Sequence, residues 1–186
     1  MEFRVNTALL VILAAVWAHL TAAEPVAAFR GEDPGTAELA RMEDELARNP
    51  ADPHLARRLA ESYLDLQRPG LVIATLRAAD PAILEHPVVA HRLAQAYEAS
   101  GRVLDALATS ELALARCSRS LGTADSPSGT ALPRFACNTH QHAVLTMHRT
   151  ALRHMASWGV ATPGTDPRTQ VAYEMAARRA RIALAY

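Results

Sequence analysis

A pattern recurs in this chain: Leu59, Ala60 and Tyr63 in HLARRLAESYLDL return at one fixed interval as Leu93, Ala94 and Tyr97 in VAHRLAQAYEAS. A period of about 34 residues, with small and aromatic residues at fixed offsets, marks stacked helical hairpins, because one hairpin cannot bury its apolar face alone. Composition agrees. Of 186 residues 50% are apolar but only 5% aromatic, and alanine and leucine carry most of that share. Both are strong helix formers, whereas the β-branched and aromatic residues that favour strands are scarce. An all-α chain is expected.

The segment 1–23 reads as an address. A 13-residue apolar run, ALLVILAAVWAHL at 8–20, follows Glu2 and Arg4 and ends in Thr21, Ala22 and Ala23. Small residues after a short apolar run are what a signal peptidase cuts, which places cleavage near Ala23-Glu24 and the remaining chain in the periplasm or outside the cell. The run is short for a membrane span, which takes about 20 apolar residues. An uncleaved anchor is the rival reading. The membrane is otherwise met only in transit.

Cys117 and Cys137 are the only cysteines. In an exported chain an even pair is most simply one disulfide, here closing a 21-residue Ser-, Gly- and Pro-rich loop over 117–137. A thiolate metal site or redox pair is the alternative, although the spacing matches no zinc or redox signature.

Apolar residues spaced at three and four, together with proline and glycine stops, place the remaining elements. Residues 24–35 form a flexible lead-in. Helices are expected over 37–49, 54–66, 71–79, 88–99, 104–116, 139–158 and 168–185. Asp52-Pro53, His86-Pro87 and Asp166-Pro167 supply starts, and Pro69-Gly70, Ser100-Gly101 and Gly159 supply turns or stops.

With these residues in place, the stretch 36–116 resembles the tetratricopeptide repeat, a helix-turn-helix of about 34 residues. Leu93, Ala94, Tyr97, Gly101, Ala106 and Ala113 follow that family's pattern closely. The preceding hairpin keeps Leu59, Ala60 and Tyr63 but has Gln67 at the turn glycine, and Asp80-Pro81 cuts its second helix short. Residues 138–186 match no family and are expected to form a helical hairpin that caps the array. The resemblance implies a groove on the first helix of each hairpin, lined by His54, Arg57, Glu61, His91, Gln95 and Glu98, that holds a protein or peptide. Glu61 and the absence of the family's clamping asparagines argue against a chaperone-tail clamp.

Charge is unevenly spread. Residues 24–111 hold 15 carboxylates against 9 arginines, whereas 112–186 hold 3 against 9. Either the basic C-terminal hairpin docks on the acidic array, or Arg149, Arg153, Arg178, Arg179 and Arg181 attract an anionic partner. Nucleic acid is not expected, since no aromatic residues interleave the arginines.

One cluster holds side chains of the kind that bind metals. CNTHQHAVLTMHRTALRHM offers His140, His142 and His148 to copper, zinc or haem iron, the alternative to a binding scaffold. Helical geometry disfavours it, because His140 and His148 lie roughly 80° apart around the axis. Val144, Met147, Ala151, Met155 and Trp158 read instead as a core stripe. No cofactor is expected. No phosphate loop, nucleophile elbow or HExxH motif appears, so no catalytic residue is assigned.

Overall fold

A computed structural model describes residues 34–124 and 137–183, and among them all regular structure is helical. The predicted signal segment and its cleavage point lie outside the described residues. The helices are α1 (Pro34–Arg48), α2 (Pro53–Asp65), α3 (Pro69–Ala78), α4 (Pro87–Ala99), α5 (Val103–Ala124), α6 (Thr139–Ser157) and α7 (Pro167–Ala183), with a 3-10 turn at Pro81–Glu85. The chain divides between Glu38 and Leu39 into two units. Of the first only 34–38, the opening of α1, is described, and the packing below belongs to the second.

Helix starts follow the sequence closely. Asp52 accepts from the His54 and Leu55 N–H groups at 2.9 and 3.2 Å, and Pro53 supplies the first helical φ without needing a hydrogen bond. Asp80 caps the 3-10 turn in the same way. His86 caps α4 through Nδ1, which accepts from the Val88 N–H at 3.3 Å. Asn138 and Gln141 form a reciprocal capping box at the start of α6.

Helix ends reveal a repeat that residue types conceal. Gln67, Gly101 and Gly159 all adopt positive φ, at 55°, 76° and 64°. Each sits in the same motif: the N–H groups of Gln67, Gly101 and Gly159 donate to Leu64, Glu98 and Ala156, and those of Arg68, Arg102 and Val160 donate to Tyr63, Tyr97 and Met155. This double closure satisfies the last carbonyls of a helix and aims the chain back on itself. Residues 138–186, expected to lie outside the repeat, therefore contain the same turn. Ala151, Leu152, Met155 and Gly159 on the C-terminal hairpin stand where Leu93, Ala94, Tyr97 and Gly101 stand on the preceding one.

Three expectations are corrected. Pro69-Gly70 is not the turn but the first two residues of α3, and the reversal lies at Gln67. Helix α5 does not stop at 116 but runs to Ala124, because Ala113, Cys117, Ser120 and Leu121 continue its inward stripe. The inward stripe of α6 is Leu145, His148, Ala151, Leu152 and Met155, so Ala151 and Met155 lie on it as expected, whereas Val144, Met147 and Trp158 sit at its half-buried margin.

Successive helices pack side by side from α2 to α7, and α2 also lies along α4. Alanines 56, 60, 90, 94, 96, 106, 113 and 151 are all buried. Their small side chains let neighbouring backbones approach, while Leu59, Leu76, Ile83, Leu152 and Met155 fill the space between. A smaller cluster of Ala90, Ala113, Cys117, Cys137 and Leu145 joins α4, α5 and α6. Within it Cys117 and Cys137 form a disulfide, with Cα atoms 5.1 Å apart. Ser120 ties the two ends together: its hydroxyl donates to the Cys117 carbonyl at 2.8 Å and accepts from the Cys137 N–H at 3.0 Å.

Candidate functional site

The six residues expected to line one groove separate into two groups. His54, Arg57, Glu61 and Gln95 lie on the accessible face of α2 and α4. His91 and Glu98 do not.

On the accessible face, Arg57 and Arg92 share one carboxylate. Arg57 Nη1 donates to both Glu61 oxygens at 2.8 and 3.0 Å, as the i, i+4 spacing on α2 allows. Arg92, one helix over, donates to Glu61 Oε1 through Nε and Nη2 at 3.1 and 2.6 Å, and its Nη1 donates to Gln95 at 2.8 Å. The result is a polar ladder, Arg57–Glu61–Arg92–Gln95, running across two first helices. All four side chains are half-buried, so they are partly ordered before anything binds. Two cations against one carboxylate leave the ladder positive. His54 stands exposed beyond it, its ring 6.0 Å from His86. Burial, then the neighbouring charges of His54 and Arg57, hold the His86 imidazole below its usual range.

His91 and Glu98 point instead into the seam between the hairpins. The His91 Nε2 lies 3.0 Å from His148 Nδ1, and His148 Nε2 lies 2.8 Å from Glu98 Oε2. The Tyr173 hydroxyl donates to the same carboxylate, 2.8 Å from either oxygen. One chain of hydrogen bonds thus joins α4, α6 and α7. His91 and His148 are 7% and 3% exposed, which closes both rings to a ligand. Burial, the facing His148 and the adjacent Arg92 push the His91 pKa down to about 3, so this ring stays neutral. Burial and the Glu98 charge push the Tyr173 hydroxyl well above its usual range. A carboxylate that orients an imidazole is a general-base arrangement. Here the second nitrogen is spent on His91 and both rings are buried, so the chain of bonds fastens the helices from inside.

The three histidines of the alternative metal reading lie apart from one another. His148 has both nitrogens engaged and faces the core. His140 is exposed, and His142 Nε2 lies 3.0 Å from the Ser118 hydroxyl. They do not converge: among the described residues no group of three or more His, Cys, Asp or Glu side chains is placed to hold a metal ion. Arg92, near the expected groove but not counted among its lining residues, bridges the two helices of the ladder. Its position three before Gln95 and one before Leu93 was the available signal.

No family model matches the chain, and neither a curated protein nor a solved structure shows detectable similarity to it. Among the described residues no helix is long and apolar enough to cross a membrane.

Proposed function

We propose that this chain is an exported scaffold, similar in kind to tetratricopeptide arrays, that holds a protein or peptide against the first helices of its hairpins. The observation that carries this reading is the Arg57–Glu61–Arg92–Gln95 ladder, a pre-ordered polar strip across α2 and α4 with a net positive charge. A strip of that kind favours a partner segment with carboxylates, and complementary charge acts mainly on selectivity and capture rate. The repeated turn at Gln67, Gly101 and Gly159 supports a stack of like hairpins, which is a binding architecture in its own right. Export is supported by the Cys117–Cys137 disulfide and by the amino-terminal apolar run that ends in Thr21-Ala22-Ala23.

Purification of the chain from its own envelope tests the proposal. A stoichiometric protein partner that is retained by the native chain and lost with Arg92→Glu supports it. A partner retained equally by both would move the contact off the ladder.

A further inference from the structure

The basic half of the chain lines a cavity of about 230 Å³ between α6 and α7. This lies below the roughly 300–1,000 Å³ typical of sites for drug-sized ligands, and so suits a small ion or group. Thr146, Arg149, Thr150 and Arg153 follow one another at steps of three, one and three along α6 and so share a face. Arg179 faces them from α7, where Ala176 and Ala180 are small enough to leave the space open.

The donors of this cavity are its arginines. Both threonine hydroxyls donate to backbone carbonyls, Thr146 to His142 at 2.8 Å and Thr150 to Thr146 at 2.7 Å. Arg153 is held by Glu111, which accepts from Nε at 3.1 Å and from Nη2 at 2.6 Å, so its Nη1 is left over. Arg149 has no ion pair among the described residues, and its Nε is buried with no hydrogen-bond partner. Burial, then the charges of Arg153 and Arg179, hold the Arg149 pKa below the usual arginine value, and Glu111 offsets only part of this. Three guanidiniums thus face a single carboxylate, a local excess of two positive charges.

We propose that the cavity between α6 and α7 is a binding site for a phosphoryl group, as phosphate or a small phosphomonoester, gripped by Arg149, Arg153 and Arg179. A phosphoryl group carries about −1.5 to −2 at neutral pH, which matches that excess. Guanidinium forks fit its oxygens in pairs, and the three arginines line the cavity from both of its helices. This site is independent of the ladder on α2 and α4.

Calorimetric titration of the intact protein in phosphate-free buffer at low salt tests the assignment, with inorganic phosphate and O-phosphoserine as separate probes. Saturable one-to-one binding is expected, weakened about tenfold in Arg149→Gln and in Arg179→Gln and unchanged in Arg178→Gln, whose side chain is exposed on the same helix. Tighter binding of inorganic phosphate identifies the free ion as ligand, and tighter binding of O-phosphoserine identifies a carried group. No saturable binding of either probe, or equal loss in Arg178→Gln, would overturn the proposal. Should the substitutions unfold the protein, the ¹⁵Nε resonance of Arg149 in the native chain decides: it is expected to shift with saturation on adding phosphate, and a fixed resonance would overturn the site.

Discussion

Glu98 Oε2 lies 2.8 Å from His148 Nε2, and through this contact the α4–α5 hairpin grips the α6–α7 hairpin. The carboxylate also accepts from the half-buried Tyr173, so its removal strands two donors at once. Removing the shared acceptor of such a network costs more than losing a surface pair, because the remaining donors stay largely desolvated. Glu98→Ala is expected to lower stability by about 3 kcal/mol. Tyr173→Phe, which removes a donor and leaves the carboxylate its imidazole, is expected to cost about 1 kcal/mol. Urea denaturation of both variants checks the order, and equal small losses would show that the seam does not depend on Glu98.

Acid should weaken the fold through His91. Its folded pKa of about 3 lies below the ordinary 6.5, so the unfolded chain binds a proton that the folded chain refuses. That contribution is fully present above pH 6.5 and is lost as the pH falls from there toward 3. The slope from one such group is at most about 1.4 kcal/mol per pH unit. In alkali the sign reverses, since Tyr173 is held protonated and Tyr63 is pushed up to about 12, and stability falls as the pH rises past 10. Denaturant midpoints across pH are expected to form a dome, with His91→Gln flattening its acid side. An unchanged acid limb in that variant would move the titration to other groups.

The three left-handed turn residues make a graded series. A Cβ at Gly101 would lie 2.8 Å from the Ala161 carbonyl oxygen, in addition to its φ of 76°. At Gly159 the φ is 64° but the space is open. Gly159→Ala is expected to cost about 1 kcal/mol and Gly101→Ala about 2 or more. Gln67 already bears the strain, so Gln67→Gly is expected to gain roughly 0.5 kcal/mol. Melting temperatures rank the series, and a stabilising Gly101→Ala would contradict the close approach.

Reduction should loosen the joint between α5 and α6. The bridge spans 20 residues of sequence separation. Closing a loop of that size restrains the unfolded chain by about 3 kcal/mol. Cys117→Ala with Cys137→Ala is expected to lose stability of that order, measured without reductant. A loss of the same order on adding reductant to the native chain alone ties the effect to the bond rather than to packing.

The helices were legible because their starts are local: Asp52-Pro53 and Asp166-Pro167 place a carboxylate and a fixed φ side by side. The hairpin of Leu93 and Tyr97 was legible because its spacing repeats that of Leu59 and Tyr63. The third occurrence was not, since Ala151-Leu152 inverts the order of large and small and Met155 replaces tyrosine. The long α5 and the disulfide-bounded segment also stretch the interval from Leu93 to Ala151 well beyond that from Leu59 to Leu93. The site was half legible. Arg57, Glu61 and Gln95 lie on faces that periodicity assigns, but His91 and Glu98 meet His148 and Tyr173 across 50 to 75 residues, and no local pattern reports such a pairing. The same pairing removes His148 from the candidate metal ligands and His91 from the accessible groove lining.

A photo-activated cross-linker placed in turn at His54, Gln95 and Leu112, in cells that make the protein, addresses the partner-binding face most directly. His54 and Gln95 flank the ladder, and Leu112 is exposed on α5. One discrete protein adduct at His54 and Gln95, absent at Leu112 and abolished by Arg92→Glu, is the expected result. Adducts at Leu112 alone, or adducts at Gln95 that survive Arg92→Glu, would contradict a partner held along α2 and α4.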